Sequence, residues 1–266
     1  MNIGKLVRLN RLFSHPSGRF CSIAVDHFFG YDIGLPEGLR RIRQTLSSIV
    51  AAKPDAVTAQ IGVVKSLWGE HAGKVPLILQ STMTRLDDSG NELIATPEDA
   101  IRLGADAIAV VAFVRGSSEA AHLRLVADCV REASRYELPV ILHTYPRKFE
   151  GGVRVSFEAE DIAWAVRCGV ELGVDVIKAP YCGDVESFRQ IVSDCPVPLV
   201  VAGGPNTGEL ITALRMMSDV IKTGARGATI GRNVWGHTQI TVVVEAFKAV
   251  IHENLPPEEA LKIVTG

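Results

Sequence analysis

Eight short runs rich in Val, Ile, Leu and Ala recur along the chain, and longer stretches with charges on one face separate them. The runs are FCSIAVDH (20–27), AVTAQ (56–60), VPLILQST (75–82), AIAVVAF (107–113), PVILHTY (139–145), VIKAPY (176–181), PLVVAGG (198–204) and GATIGRN (227–233). Stretches such as EGLRRIRQTLSSIVAA, EAAHLRLVADCVREASRY and EAEDIAWAVRCGVELG read as amphipathic helices. Strands that alternate with helices, and are apolar enough to be covered on both faces, imply a parallel sheet. Eight such units can close it into a (β/α)8 TIM barrel. The competing architecture, an open doubly wound sheet, usually carries a glycine-rich turn after its first strand; the turn here reads DHFFGYDIG.

Length and composition agree with one barrel over residues 1–266, because no linker or composition shift divides the chain. Hydrophobic residues make up 47% and aromatic residues only 6%, so the core rests on aliphatic side chains. Lys+Arg of 28 against Asp+Glu of 30 gives a net charge of -2, which speaks against nucleic acid or a membrane surface as partner and for a small molecule. The five cysteines form no CxxC pair, which suits free thiols in a reducing cytoplasm. The basic N-terminal stretch MNIGKLVRLNRLF lacks the continuous apolar region of a signal peptide, and no run approaches the ~20 apolar residues of a spanning helix.

In a closed barrel alternate side chains point inward. Ser22, Ala24 and Asp26 share one direction, as do Ile141, His143 and Tyr145, and Val176 and Lys178. If these faces point inward, Asp26, Tyr145 and Lys178 stand at carboxyl ends of strands, where barrel enzymes keep their chemistry. A lysine ending an apolar strand would hang over the barrel mouth with its stem packed and its amine facing a cavity. Desolvation and a neighbouring cation, for which Arg147 is the candidate, can lower an amine's pKa and make it a nucleophile toward carbonyls. The resulting Schiff base is an electron sink that allows a carbon–carbon bond to break without a metal. Tyr145 has the position and type to move the substrate hydroxyl proton. Asp26 can orient the amine and shuttle protons during dehydration. Each residue taken alone also has a plain structural explanation as a solvated lysine, a packed ring or a turn cap.

AGGPN (202–206) and TIGRN (229–233) end the seventh and eighth runs, where barrels frequently bind phosphate on exposed backbone N–H groups. Gly203, Gly204 and Gly231 are candidate amide donors, and Arg232 adds a charged fork. His27 and His143 could instead join Asp26 as zinc ligands, although their spacing matches no metal motif. The other histidines fall in helical stretches and read as packing or surface residues. Cys182 reads as a small apolar filler, and Asn206 and Asn233 as turn or helix-cap residues.

The segments IGKLVRLNRLF, VDH, TYPR, DVIKAPYCGD, VVAGGP and GARGATIGRN, in this order from residue 3 to about residue 250, resemble the archaeal-type class I fructose-bisphosphate aldolases of the deoxyribose-phosphate aldolase superfamily. The resemblance implies a TIM barrel with Lys178 as Schiff-base lysine, Tyr145 as proton-transfer group and Asp26 as the carboxylate. Gly204, Gly231 and Arg232 take the phosphate role. It also implies a phosphorylated sugar substrate, no metal or cofactor, and a homo-oligomer. The chain departs from the family's DHG, which here reads Asp26, His27, Phe28, Phe29 and only then Gly30, and His143 stands where relatives often carry an aromatic residue. With Arg147, His27 and His143 are expected in the substrate pocket. These departures bear on the substrate, and the same family includes a transaldolase-like heptulosonate synthase and a thiolase acting on a phosphorylated autoinducer. A barrel that binds a sugar phosphate without turnover is the reading from outside enzymology; the intact Asp26, Tyr145 and Lys178 set argues against it.

Overall fold

Strand backbones leave their N–H and C=O groups to be satisfied by neighbouring strands, and here the neighbours form a closed ring. The computed structural model describes residues 2–28, 34–205 and 208–266. Its strands are β1 (Phe20–Ala24), β2 (Ala56–Gln60), β3 (Leu77–Gln80), β4 (Thr82–Thr84), β5 (Asn91–Leu93), β6 (Ala107–Val114), β7 (Val140–Lys148), β8 (Arg154–Val155), β9 (Val176–Ala179), β10 (Leu199–Ala202) and β11 (Gly227–Ile230). Eight of them pair in parallel in the order β1, β2, β3, β6, β7, β9, β10, β11 and back to β1. With helices between, this is a TIM barrel, and each barrel strand starts within one of the eight runs; β6 and β7 continue past theirs, to Val114 and Lys148.

Three strands lie outside the ring. β4 and β5 form an antiparallel hairpin above β3, and β8 folds back on the end of β7. The run 75–82 therefore breaks: the barrel ladder ends at Gln80, and the Ser81 carbonyl turns to accept from Ile94 N–H at 2.7 Å. The run 227–233 also ends early, since Arg232–Trp235 is a helical turn.

Side-chain parity divides the strands as alternation requires. Phe20, Ala56, Ile78, Ala107, Ala109, Ile141, Val176 and Val200 pack together inside the ring. Their chain neighbours Cys21, Val57, Leu77, Leu79, Ile108, Leu142, Ile177 and Val201 pack outward beneath the helices. Each Val, Leu, Ile or Phe among them, fully buried, contributes about 1.5–3 kcal/mol. With Ile141 and Val176 inside, the period of two places His143 and Lys178 inside as well. The N-terminal helix Ile3–Leu12 closes the opposite end of the ring, where Leu12 is fully buried among the interior residues and Leu9 and Phe13 pack against them. Lys5 pairs with Asp175 at 2.9 Å and Arg11 with Asp106 at 3.2 Å, so the basic residues of this stretch moor the plug to the barrel. Only the carboxyl-terminal mouth is left for chemistry. Among the described residues no helix is long and apolar enough to cross a membrane.

Candidate active site

Lys178 stands in register with His143 of β7 on one side and Val200 of β10 on the other. Its side chain is 4% exposed, so the strand carries the amine into the barrel mouth rather than out to water. Tyr145 lies two residues beyond His143, opposite Phe113 of β6, and Asp26 lies two residues beyond the end of β1. Asp26, His27, His143, Tyr145 and Lys178 all line one cavity of about 170 Å³. Five side chains drawn from three strand ends thus face the same small volume.

Asp26 is held from two directions. Gln80 Nε2 donates to Asp26 Oδ2 at 2.8 Å, and His27 Nδ1 lies 3.3 Å from Asp26 Oδ1. Gln80 is itself fixed, because its Oε1 accepts from Thr82 N–H at 3.2 Å and from Thr82 Oγ1 at 3.0 Å. Burial alone would raise the Asp26 pKa; the hydrogen bond with His27 and the charges of His27 and Lys178 outweigh it and hold the carboxyl well below its usual range. Burial and the Asp26 charge push the Tyr145 phenol up, with the Arg232 charge acting the other way, so the phenol stays protonated near neutrality. His143, with Nδ1 at 3.5 Å from Gln80 Nε2, is kept neutral chiefly by burial and secondly by the Lys178 charge. The site therefore offers an amine beside an ionised carboxylate, a neutral imidazole and a neutral phenol, which is the equipment for carbonyl capture and proton relay.

The two glycine segments meet beside this cavity, although not all of their groups are available. Gly203 N–H donates to Thr229 O at 3.0 Å, so it is spent on the barrel and corrects the expectation that Gly203 offers its amide to an anion. Its glycine character is explained by packing, since a Cβ there would fall 2.9 Å from Ile230 Cα. Gly204 adopts φ +74°, in the left-handed region. Asn233 does not act as a helix cap; its Nδ2 donates to Gly203 O at 2.8 Å and Pro205 O at 2.9 Å, which ties the two segments together. Asn206 lies outside the described residues.

Gly231 makes room for His27. A Cβ on Gly231 would stand 2.3 Å from His27 Cε1 and 2.7 Å from its Nε2. Gly231→Ala is expected to push the imidazole off Asp26 and lower kcat/KM by about ten-fold or more, while thermal unfolding barely moves. Unchanged kinetics would show that His27 does not need this seat. Phe28, which departs from the family's glycine, is not among the residues that line the cavity and keeps 51% of its surface exposed. Phe29 and Gly30 lie outside the described residues.

Arg147 is the residue that the structure removes from the pocket. It sits two positions past Tyr145, but β7 runs on to Lys148 and the guanidinium turns into protein, 2% exposed. Nη1 donates to Asp88 Oδ1 at 2.7 Å and Leu86 O at 3.1 Å, and Nη2 donates to Ser118 Oγ at 2.7 Å and Arg115 O at 2.9 Å. His122 Nε2 reaches the same Asp88 Oδ1 at 2.9 Å. Arg147 is therefore a clamp between the β4–β5 connection and the loop after β6, and not a cation beside Lys178. Arg147→Leu should cost about 3 kcal/mol of stability, at the low end for a broken buried pair because Asp88 keeps 34% exposure and can rehydrate. Chemical denaturation reads this directly.

Several cavity residues carried no sequence signal strong enough to single out. Gln60 and Gln80 end β2 and β3 on the inward parity, so a polar residue at an inward strand end was the available clue. Thr82, Thr84 and Leu86 come from the hairpin side, and Val155 from β8. Among the described residues no group of three or more His, Cys, Asp or Glu side chains is placed to hold a metal ion.

The sequence profile of the DeoC/LacD family aldolases matches residues 22–237, which takes in nearly the whole ring of strands. The chain belongs to this family. As a member it is a class I aldolase, a lyase. Over 260 residues it is 33% identical to a 2-amino-3,7-dideoxy-D-threo-hept-6-ulosonate synthase of Halobacterium salinarum, covering 97% of this chain and 95% of that protein. It is 30% identical to a 3-hydroxy-5-phosphonooxypentane-2,4-dione thiolase of an Enterobacter species, covering 97% and 85%. Among solved structures, an archaeal fructose 1,6-bisphosphate aldolase superposes with a TM-score of 0.82 at 26% identity, covering 94% of this DeoC/LacD chain and 99% of that one.

Proposed function

We propose that this aldolase works through an imine on Lys178 and that its substrate is a phosphorylated ketose or closely related keto compound. The observation that carries the reading is the shared cavity, in which a buried amine faces an ionised Asp26 and a protonated Tyr145. In the cleavage direction the Lys178 amine adds to the ketone carbon, and the carbinolamine loses water with Asp26 relaying the protons. The protonated imine then accepts the electron pair of the breaking carbon–carbon bond as the hydroxyl gives its proton to the Tyr145 oxygen, and the phenol passes its own proton on to the ionised Asp26. An aldehyde departs, and the enamine left on Lys178 is protonated at carbon and hydrolysed to the second product. In the condensation direction the same phenol gives its proton to the developing alkoxide.

Arg232, with Gly204 and Gly231, is the proposed phosphate seat; that its charge acts on the Tyr145 phenol supports the reading. The similarity to an archaeal fructose 1,6-bisphosphate aldolase supports a ketose bisphosphate as one candidate substrate. The greater identity to the heptulosonate synthase and the thiolase supports transfer or cleavage on a related phosphorylated keto compound. We read the protein as one cytoplasmic barrel domain that assembles with copies of itself.

The test is covalent. Incubation with dihydroxyacetone phosphate followed by borohydride should leave a reduced adduct on Lys178 by peptide mass spectrometry, and an unmodified Lys178 would end the proposal. Arg232→Ala should raise KM by about ten-fold or more for phosphorylated substrates alone; an equal rise for unphosphorylated analogues would remove it from the phosphate seat.

A further inference from the structure

We infer that the end of the substrate remote from the Arg232 seat is uncharged, so that the enzyme takes a keto compound with one phosphate in preference to a bisphosphate. The inference rests on the imine reading above and deepens it. Lys178 on β9 stands between two unlike halves of the cavity. On the β10–β11 side, behind the lining residue His27, which packs on Gly231, is the proposed seat of Gly204, Gly231 and Arg232. On the other side the wall is Thr82, Thr84, Leu86, Phe113 and Val155, three of them apolar and none of them charged.

A phosphate leaving water for such a wall needs a cation or several N–H donors, and an unpaired one bears a large desolvation cost. The cations of the surrounding loops are committed elsewhere. Arg115 pairs with Asp161 at 3.2 Å, Arg147 with Asp88 at 2.7 Å and Lys148 with Glu158 at 3.2 Å. Arg154 donates to Glu150 O at 2.8 Å. Neither these four nor Arg85 is among the residues that line the cavity. Residues 29–33 and 206–207, outside the described part, include no Lys or Arg. What this half does offer is neutral: Thr84 Oγ1 and Gln60 Oε1 are buried and, among the described residues, without a hydrogen-bond partner. Those two groups suit a hydroxyl on a short chain that ends in carbon or hydroxyl.

Borohydride trapping on Lys178, titrated with fructose 1-phosphate and with fructose 1,6-bisphosphate, tests this without requiring either ketose to be cleaved. The monophosphate should half-saturate the adduct at about ten-fold lower concentration or better. Leu86→Arg, which places a cation in the neutral half, should bring the bisphosphate level with the monophosphate. An adduct that forms as readily with the bisphosphate in the unaltered protein overturns the inference and leaves the imine reading standing. Absence of any adduct, with dihydroxyacetone phosphate included, overturns both.

Discussion

Lys178→Ala is expected to lower turnover on the order of 10⁴-fold or more, with the protein still folded. The amine is the group that converts a ketone into an electron sink, and none of the other residues lining the cavity is an amine. Lys178→Arg sharpens the experiment, because a guanidinium keeps the positive charge beside Asp26 and forms no imine under these conditions. Equal loss in both variants assigns the effect to covalent chemistry; recovery in the arginine variant would assign it to charge. Thermal unfolding of each variant separates loss of activity from loss of fold. Turnover within a few-fold of the unaltered enzyme would refute the role.

The second large effect is Tyr145→Phe, expected to lower kcat by about 10²- to 10⁴-fold, the usual span for removal of a general acid–base group. The phenylalanine ring keeps the tilted contact with Phe113, whose centroid lies 5.9 Å from that of Tyr145, so packing survives. Imine formation precedes the step that needs the phenol. Trapping of dihydroxyacetone phosphate on Lys178 should therefore persist in the variant while carbon–carbon cleavage fails. If trapping and cleavage fall together, Tyr145 acts in dehydration or in packing instead.

The ring was legible in the sequence because each barrel strand is a short, largely apolar run that must be buried on both faces, and the period of two then dictates which ends look inward. Lys178 and His143 follow from Val176 and Ile141 by that rule alone. The rule fails where neither parity nor burial dominates. The β4–β5 hairpin is built from short polar segments around DDSG, which read as loop, and β8 is two residues long. Arg147 illustrates a different limit. Its distance along the strand from Tyr145 suggests the cavity, but its direction is set by Asp88 and Ser118, which reach it only after the hairpin and the loop beyond β6 have folded. Gly183 and Asp184, part of the family motif, turn out to serve local structure: Gly183 takes φ +89°, and Asp184 Oδ1 caps the next helix by accepting from Ser187 N–H at 2.8 Å.

The hairpin between β3 and β5 belongs to no rung of the ring, yet it helps form the wall that meets whatever the amine has captured. Capture and choice are thus written in different stretches of polypeptide. A lineage can trade one reactant for another by rewriting roughly a dozen surface-loop positions, while the machinery that makes and breaks the bond is inherited untouched.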